Sequence, residues 1–192
     1  MLSLVLAAVV AAPPAPAAPA SNEKAFKELL ARAKVTYTAP SGFKEVPIEK
    51  NGAMSYEFAV RDPQKTLEIR IAVRLPSPPP PPDKPGTRSV RIPDENVFPG
   101  LVQATMLNLS NGEASQAPKA FSPTAVKNEF NADSGFTSFV ESKAAGWNSF
   151  KNCMLYAVRK AGAAEVYVFF LFDDFPTVEG AVRNAFHVVK FN

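Results

Sequence analysis

Cysteine and histidine are almost missing from this chain: 192 residues contain one of each, Cys153 and His187. A lone cysteine excludes an intrachain disulfide, and an exported domain of this size does not need one because its core suffices. No CxxC, HExxH, GxSxG, GxGxxG or phosphate-loop motif occurs, so the familiar metal, nucleophile-elbow and nucleotide signatures are all absent. An excess of one charge sign is lacking too. Twenty-one basic residues face 18 acidic ones, giving +3, with no run of Lys or Arg. A nucleic-acid binder concentrates positive charge on one stripe, so nucleic acid is not an expected partner. No apolar run reaches the roughly 20 residues that cross a hydrocarbon core about 30 Å thick.

Charge is missing altogether from residues 1–22, and Glu23 is the first ionised side chain. Residues 2–12 form an apolar run and residues 13–20 a Pro/Ala tract. That run has the length of a signal-peptide core, and Ala18-Pro19-Ala20 before Ser21 is a small-x-small cleavage site. No Lys or Arg precedes the run, although export signals carry a basic start, so a disordered Ala/Pro tail is the alternative. The expectation is a signal peptide over 1–20, a single domain over 21–192, and a secreted or periplasmic protein without a membrane span in the mature chain. About 170 residues then remain, enough for one domain with a real core.

What is present is strong patterning. Phe26, Leu29, Leu30 and Ala33 share a face and predict a helix over 22–34, followed by a strand at 35–38 and another over 43–48. Leu67, Ile69, Ile71, Val73 and Leu75 alternate with polar or small residues, as do Met54, Tyr56, Phe58 and Val60. With Asp62-Pro63-Gln64-Lys65 as the turn, Val60 stands opposite Leu67, Phe58 opposite Ile69, Tyr56 opposite Ile71 and Met54 opposite Val73. Glu57 and Arg70 then pair on the other face, which this reading leaves to solvent. Seven prolines within 76–85 open a Pro-rich loop over 76–93, a stiff connector or a docking ligand for an aromatic groove. Asp94 caps a helix over 95–108 with Phe98, Leu101, Val102, Thr105 and Leu109 inward; Ser122-Pro123 opens a short helix reaching Phe130. The last third reads as a strand at 153–160, a strand at 166–172 apolar at every position, a helix at 178–185 and a strand at 186–191. A strand apolar on both faces needs a covering layer on each side. The fold class is therefore α+β: a mainly antiparallel sheet flanked by helices in an α/β/α sandwich.

Pro40-Ser41-Gly42-Phe43 before the hairpin, the run from Val166 through Phe172 to Asp173-Asp174, and the ending Phe186-His187-Val188-Val189-Lys190-Phe191 together resemble the PsbP/Mog-type superfamily of α/β/α sandwiches, with its bacterial envelope members. The resemblance covers residues 35–192 and rests on element order and hydrophobic pattern. It implies a small non-enzymatic scaffold, since members assist photosystems or bind a small GTPase. It transfers no functional residue.

Chemistry-bearing residues are few. Cys153 sits in the apolar run Cys153-Met154-Leu155-Tyr156, which fits a buried thiol better than a nucleophile. His187 shares a face with Val189 and Phe191 if the last strand alternates, which favours partial burial. Asp173-Asp174 ends the apolar strand and reads as turn residues, because consecutive strand residues point to opposite faces and rarely share an ion. A hydrolase site near His187 and Asp173 is the alternative to a binding module. Phe136, Phe139 and Trp147 lie in the least regular segment and are the candidate ligand or partner surface. No cofactor is expected; the partner is a protein or small ligand of the envelope.

Overall fold

The computed structural model describes residues 22–76, 94–113 and 116–192, without the side chains of 94–96. The expected signal segment at 1–20, all but the start of the Pro-rich loop and the Asp94 cap lie outside the described residues. In chain order the elements are α1 (Glu23–Ala33), β1 (Val35–Tyr37), β2 (Lys44–Glu45), β3 (Phe58–Arg61), β4 (Leu67–Arg74), α2 (Asp94–Leu109), β5 (Lys119–Ala120), α3 (Pro123–Ala125) running into a π-turn (Val126–Phe130), β6 (Ser134–Glu141), β7 (Asn152–Lys160), β8 (Ala164–Phe172), α4 (Phe175–Ala185) and β9 (Val189–Phe191). Seven strands form one antiparallel sheet in the order β2-β3-β4-β8-β7-β6-β5, and β1 pairs with β9 separately.

Strand β8 organises the layers. Residues 166–172 are each 0% exposed, and alternation divides them between two cores. Val166, Val168, Phe170 and Phe172 meet Phe26, Leu30 and Ala33 of α1 and Val178, Val182 and Ala185 of α4. Tyr167, Phe169 and Leu171 meet Phe98, Val102, Met106 and Leu109 of α2. Helices thus cover the sheet on both sides, giving the α+β sandwich that the all-apolar strand predicts. Met106, not Leu101, completes the inner face of α2.

The hairpin departs from its predicted register. Val60 faces Ile69 and Phe58 faces Ile71, two residues from the expected partners. The cause is Asp62, whose carboxylate accepts from Thr66 N–H at 2.7 Å, Thr66 Oγ1 at 2.8 Å and Leu67 N–H at 2.9 Å. Its amide also donates to the Leu67 carbonyl at 3.0 Å, so Asp62 closes the hairpin opposite Leu67 and the loop becomes residues 63–66. The expected Glu57–Arg70 pair therefore does not form. Glu57 N–H donates to the Ile71 carbonyl at 2.9 Å although Ile71 is registered with Phe58. Two residues oppose one, as in a β-bulge, and side chains before the bulge change faces. Phe58 and Val60 enter the α1/α4 core, while Met54 and Tyr56 enter the α2 core.

A second correction follows from α2. The face of β4 left to solvent in the sequence reading is covered: Glu68 and Arg70 are each 1% exposed and Ala72 is 2% exposed. The final strand is also shorter than predicted, beginning at Val189 rather than at 186.

Candidate functional site

Burial of Glu68 and Arg70 creates an ionic centre inside the α2 core. Arg70 Nε donates to Glu68 Oε1 at 2.6 Å, and Nη1 donates to the Trp147 carbonyl. Arg61, registered with Glu68 across the hairpin, donates from Nε at 2.6 Å and from Nη2 to the other oxygen, Oε2. One buried carboxylate therefore bridges two guanidiniums, one oxygen to each. The Arg70 guanidinium carbon lies 4.6 Å from the ring centres of both Tyr56 and Trp147, whose planes meet at 88°. This corner of two aromatic faces holds the cation by its attraction to their π clouds. Burying ions is costly, and the cost is offset only where the remaining donors and acceptors are matched.

The centre opens to solvent through a cavity of about 250 Å³ lined by Glu49, Arg61, Arg70, Gly146, Asn148 and Phe150 among others. Glu49 hangs at its rim, 60% exposed, with Oε2 3.4 Å from Arg70 Nη2. Its backbone N–H donates to the Tyr56 hydroxyl at 2.8 Å, fixing where the side chain starts. Burial raises the Tyr56 hydroxyl above its ordinary pKa, so it stays protonated and neutral. Sequence reasoning missed this centre because Glu68 and Arg70 alternate with apolar residues, as solvent-facing side chains do. The available signal was their place on a strand long enough to lie beside the all-apolar one.

The three aromatic candidates are not brought together. Phe136 and Phe139 stand three apart on β6 and so face opposite sides of the sheet. Phe136 packs edge-on to Phe98 under α2, 5.7 Å between centres. Trp147 is fully buried beside Phe169 at 5.3 Å, and its Nε1–H has no acceptor among the described residues. Phe136 is half-buried, and Phe139 is exposed: at 52% it is more exposed than any other large apolar residue among those described. It lies at a groove of about 420 Å³ with Met106, Ser110, Glu113, Val140, Glu141 and Lys143. Lys143 Nζ bridges Glu113 at 2.5 Å and Glu141 at 3.0 Å across that groove. Strand β5 opposes only Phe136 and Thr137, so among the described residues no strand pairs the outer edge of β6 over 138–141.

His187 and Asp173 are likewise apart. His187 does not share a face with Val189 and Phe191, because it precedes β9 in the turn after α4. Its side chain is 52% exposed, with Nε2 2.9 Å from Glu129 Oε2. Asp173 instead accepts from Lys151 N–H at 2.9 Å at the far end of β8. Helix α4 runs between them, and its 11 residues span about 16 Å. Asp174 caps that helix, accepting from Thr177 N–H at 3.3 Å and Thr177 Oγ1 at 2.6 Å. Among the described residues no group of three or more His, Cys, Asp or Glu could hold a metal ion. No helix among them is long and apolar enough to cross a membrane.

Cys153 is fully buried in the α2 core, and burial pushes its thiol far above the usual range against the smaller, lowering pull of Arg70. A disulfide reagent at neutral pH is therefore expected to find no thiol in the native protein and one after denaturation. Rapid native labelling would show that this core opens.

No protein-family model and no curated protein matches the chain. The solution structure of cyanobacterial PsbP (CyanoP) from Synechocystis sp. PCC 6803 is similar with a TM-score of 0.44 and 13% identity, over 83% of this chain and 88% of that one. At that score the likeness carries no argument, and the architecture rests on strand order and register.

Proposed function

We propose that the protein is an exported, non-enzymatic binding or accessory module of the cell envelope, acting by surface contact around Phe139. The observation that carries this reading is an exposed aromatic ring beside a groove, on a stretch of strand edge without a neighbour among the described residues. Apolar anchors rimmed by polar groups are the usual core of a contact surface. An unpaired edge offers backbone donors and acceptors to an extended partner segment. The uncharged apolar leader supports export, and the placing of His187 and Asp173 at opposite ends of α4 favours the binding reading over a hydrolase site that uses both.

Two measurements test it. N-terminal sequencing of protein from its native host is expected to begin near Ser21, and an intact Leu2 would refute export. Affinity capture from an envelope extract is expected to retain one stoichiometric partner with the wild type and to lose it with Phe139→Asp. That change gives up the ring's contact with Phe172 and should cost about 1–2 kcal/mol while leaving the fold intact by circular dichroism. Equal capture by the variant, or turnover of generic ester or peptide substrates, would count against the proposal.

A further inference from the structure

In the cavity over Arg70 the two anions are unequal: Glu68 is in close contact with both cations and Glu49 is not. Glu68 spends one oxygen on each guanidinium and has none left. Two cations therefore share one close anion. The second anion, Glu49, reaches Arg70 Nη2 only at 3.4 Å from a largely exposed position. Charge-assisted N–H···O bonds are normally about 2.7–2.9 Å, so that contact is loose. Among the described residues Arg61 Nη1 has no acceptor, and both guanidiniums line the same cavity.

We infer that this cavity is a carboxylate-binding site, in which a ligand carboxylate displaces Glu49 and accepts hydrogen bonds from Arg70 Nη2 and Arg61. The site is built rather than incidental. Arg70 is 1% exposed and cannot swing to meet solvent. Its plane is held by Glu68, the Trp147 carbonyl and the corner of Tyr56 and Trp147. With Nε and Nη1 engaged, Arg70 offers Nη2 and Arg61 supplies the second donor, so the two guanidiniums together suit a two-oxygen acceptor. The ligand body would lie along Phe150 and Gly146, with the Asn148 side chain held away by its bond to Ser142 Oγ at 2.6 Å. At about 30 Å³ per water the cavity has room for roughly eight. That suits a small carboxylic acid or the terminal residue of a peptide. Glu49 then acts as a built-in competitor tethered through Tyr56.

The only tryptophan, Trp147, faces Arg70 and reports the site. Its fluorescence should be titrated with sodium acetate at constant ionic strength, with sodium chloride and sodium phosphate as comparisons. Acetate is expected to give a saturating change that chloride does not. Glu49→Gln, an exposed substitution that spares the fold, should tighten acetate about three- to fivefold by removing the competitor. Arg61→Gln, checked for folding by circular dichroism, should weaken it about tenfold. Ala-Ala and its C-terminal amide separate the two sources of the carboxylate. Tighter binding of the dipeptide, lost in the amide, assigns a chain terminus; equal affinity for acetate and dipeptide assigns a free acid. Saturation by phosphate but not acetate, no saturation at all, or an acetate affinity unmoved or weakened by Glu49→Gln would overturn the inference.

Discussion

Glu68→Ala is expected to cost about 3–5 kcal/mol of unfolding free energy, the usual result of removing one member of a buried ionic group. Both oxygens of Glu68 are engaged, so its loss strips Arg61 and Arg70 of their only close anion at once. Arg70 cannot recover by swinging into bulk water, because it is 1% exposed and held in the corner of Tyr56 and Trp147. A desolvated cation against aromatic faces keeps some attraction, but that is worth only about 1–2 kcal/mol. Domains of this size have about 5–15 kcal/mol in total, so the urea midpoint should fall sharply while the slope is kept. The net worth of the group is a separate quantity. Replacing Glu68, Arg61 and Arg70 together by Leu, Leu and Met should restore most of the stability, since a well-packed apolar trio avoids the desolvation cost. A loss below about 1 kcal/mol for Glu68→Ala would mean that water entering by the cavity replaces the carboxylate for both guanidiniums.

The layers were legible in the sequence because one rule suffices for them. A strand apolar at every step from Val166 to Phe172 has no polar face to give to solvent, and 164–172 sits in the middle of the sheet. The hairpin was legible only to its parity. Alternation fixes which side chains share a face within the paired stretch, but Asp62 decides where the loop begins, and its three side-chain bonds move the Val60 and Phe58 pairs by two. The bulge at Glu57 has no composition signal at all, yet it sends Tyr56 to the face where it meets Arg70.

The ionic centre was illegible for a related reason. Burial of Arg70 depends on Tyr56 and on the loop of Trp147, segments that reach this side of β4 only through the folded chain. Period-two alternation measures the pleat and says nothing about what lies over it. The aromatic candidates show the same limit from the other side. Phe136, Phe139 and Trp147 share a stretch of sequence, and the pleat of β6 separates the first two while the core takes the third. Only Phe139 is left largely exposed.

Phe170→Ala and Phe169→Ala test whether the two cores fold as one unit. Each ring is 0% exposed, one packed toward α4 and its following turn, the other against Trp147. Each truncation is expected to cost about 3–5 kcal/mol, for lost apolar transfer and the cavity left behind. The sheet between them is shared: β8 is bonded to β4 on one side and β7 on the other along its whole length. Neither core can loosen without disturbing the same ladders, so both single variants should unfold in one transition, coincident by tryptophan fluorescence and far-ultraviolet circular dichroism. Because the side chains lie on opposite faces, the losses should nearly add. The double variant then gives up about 6–10 kcal/mol, most of what a domain of this size has, and should be largely unfolded at 25 °C. Two separate transitions in Phe169→Ala, with the Trp147 side melting first, would show instead that the α2 layer is an independent cover on a sheet held by α1 and α4 alone.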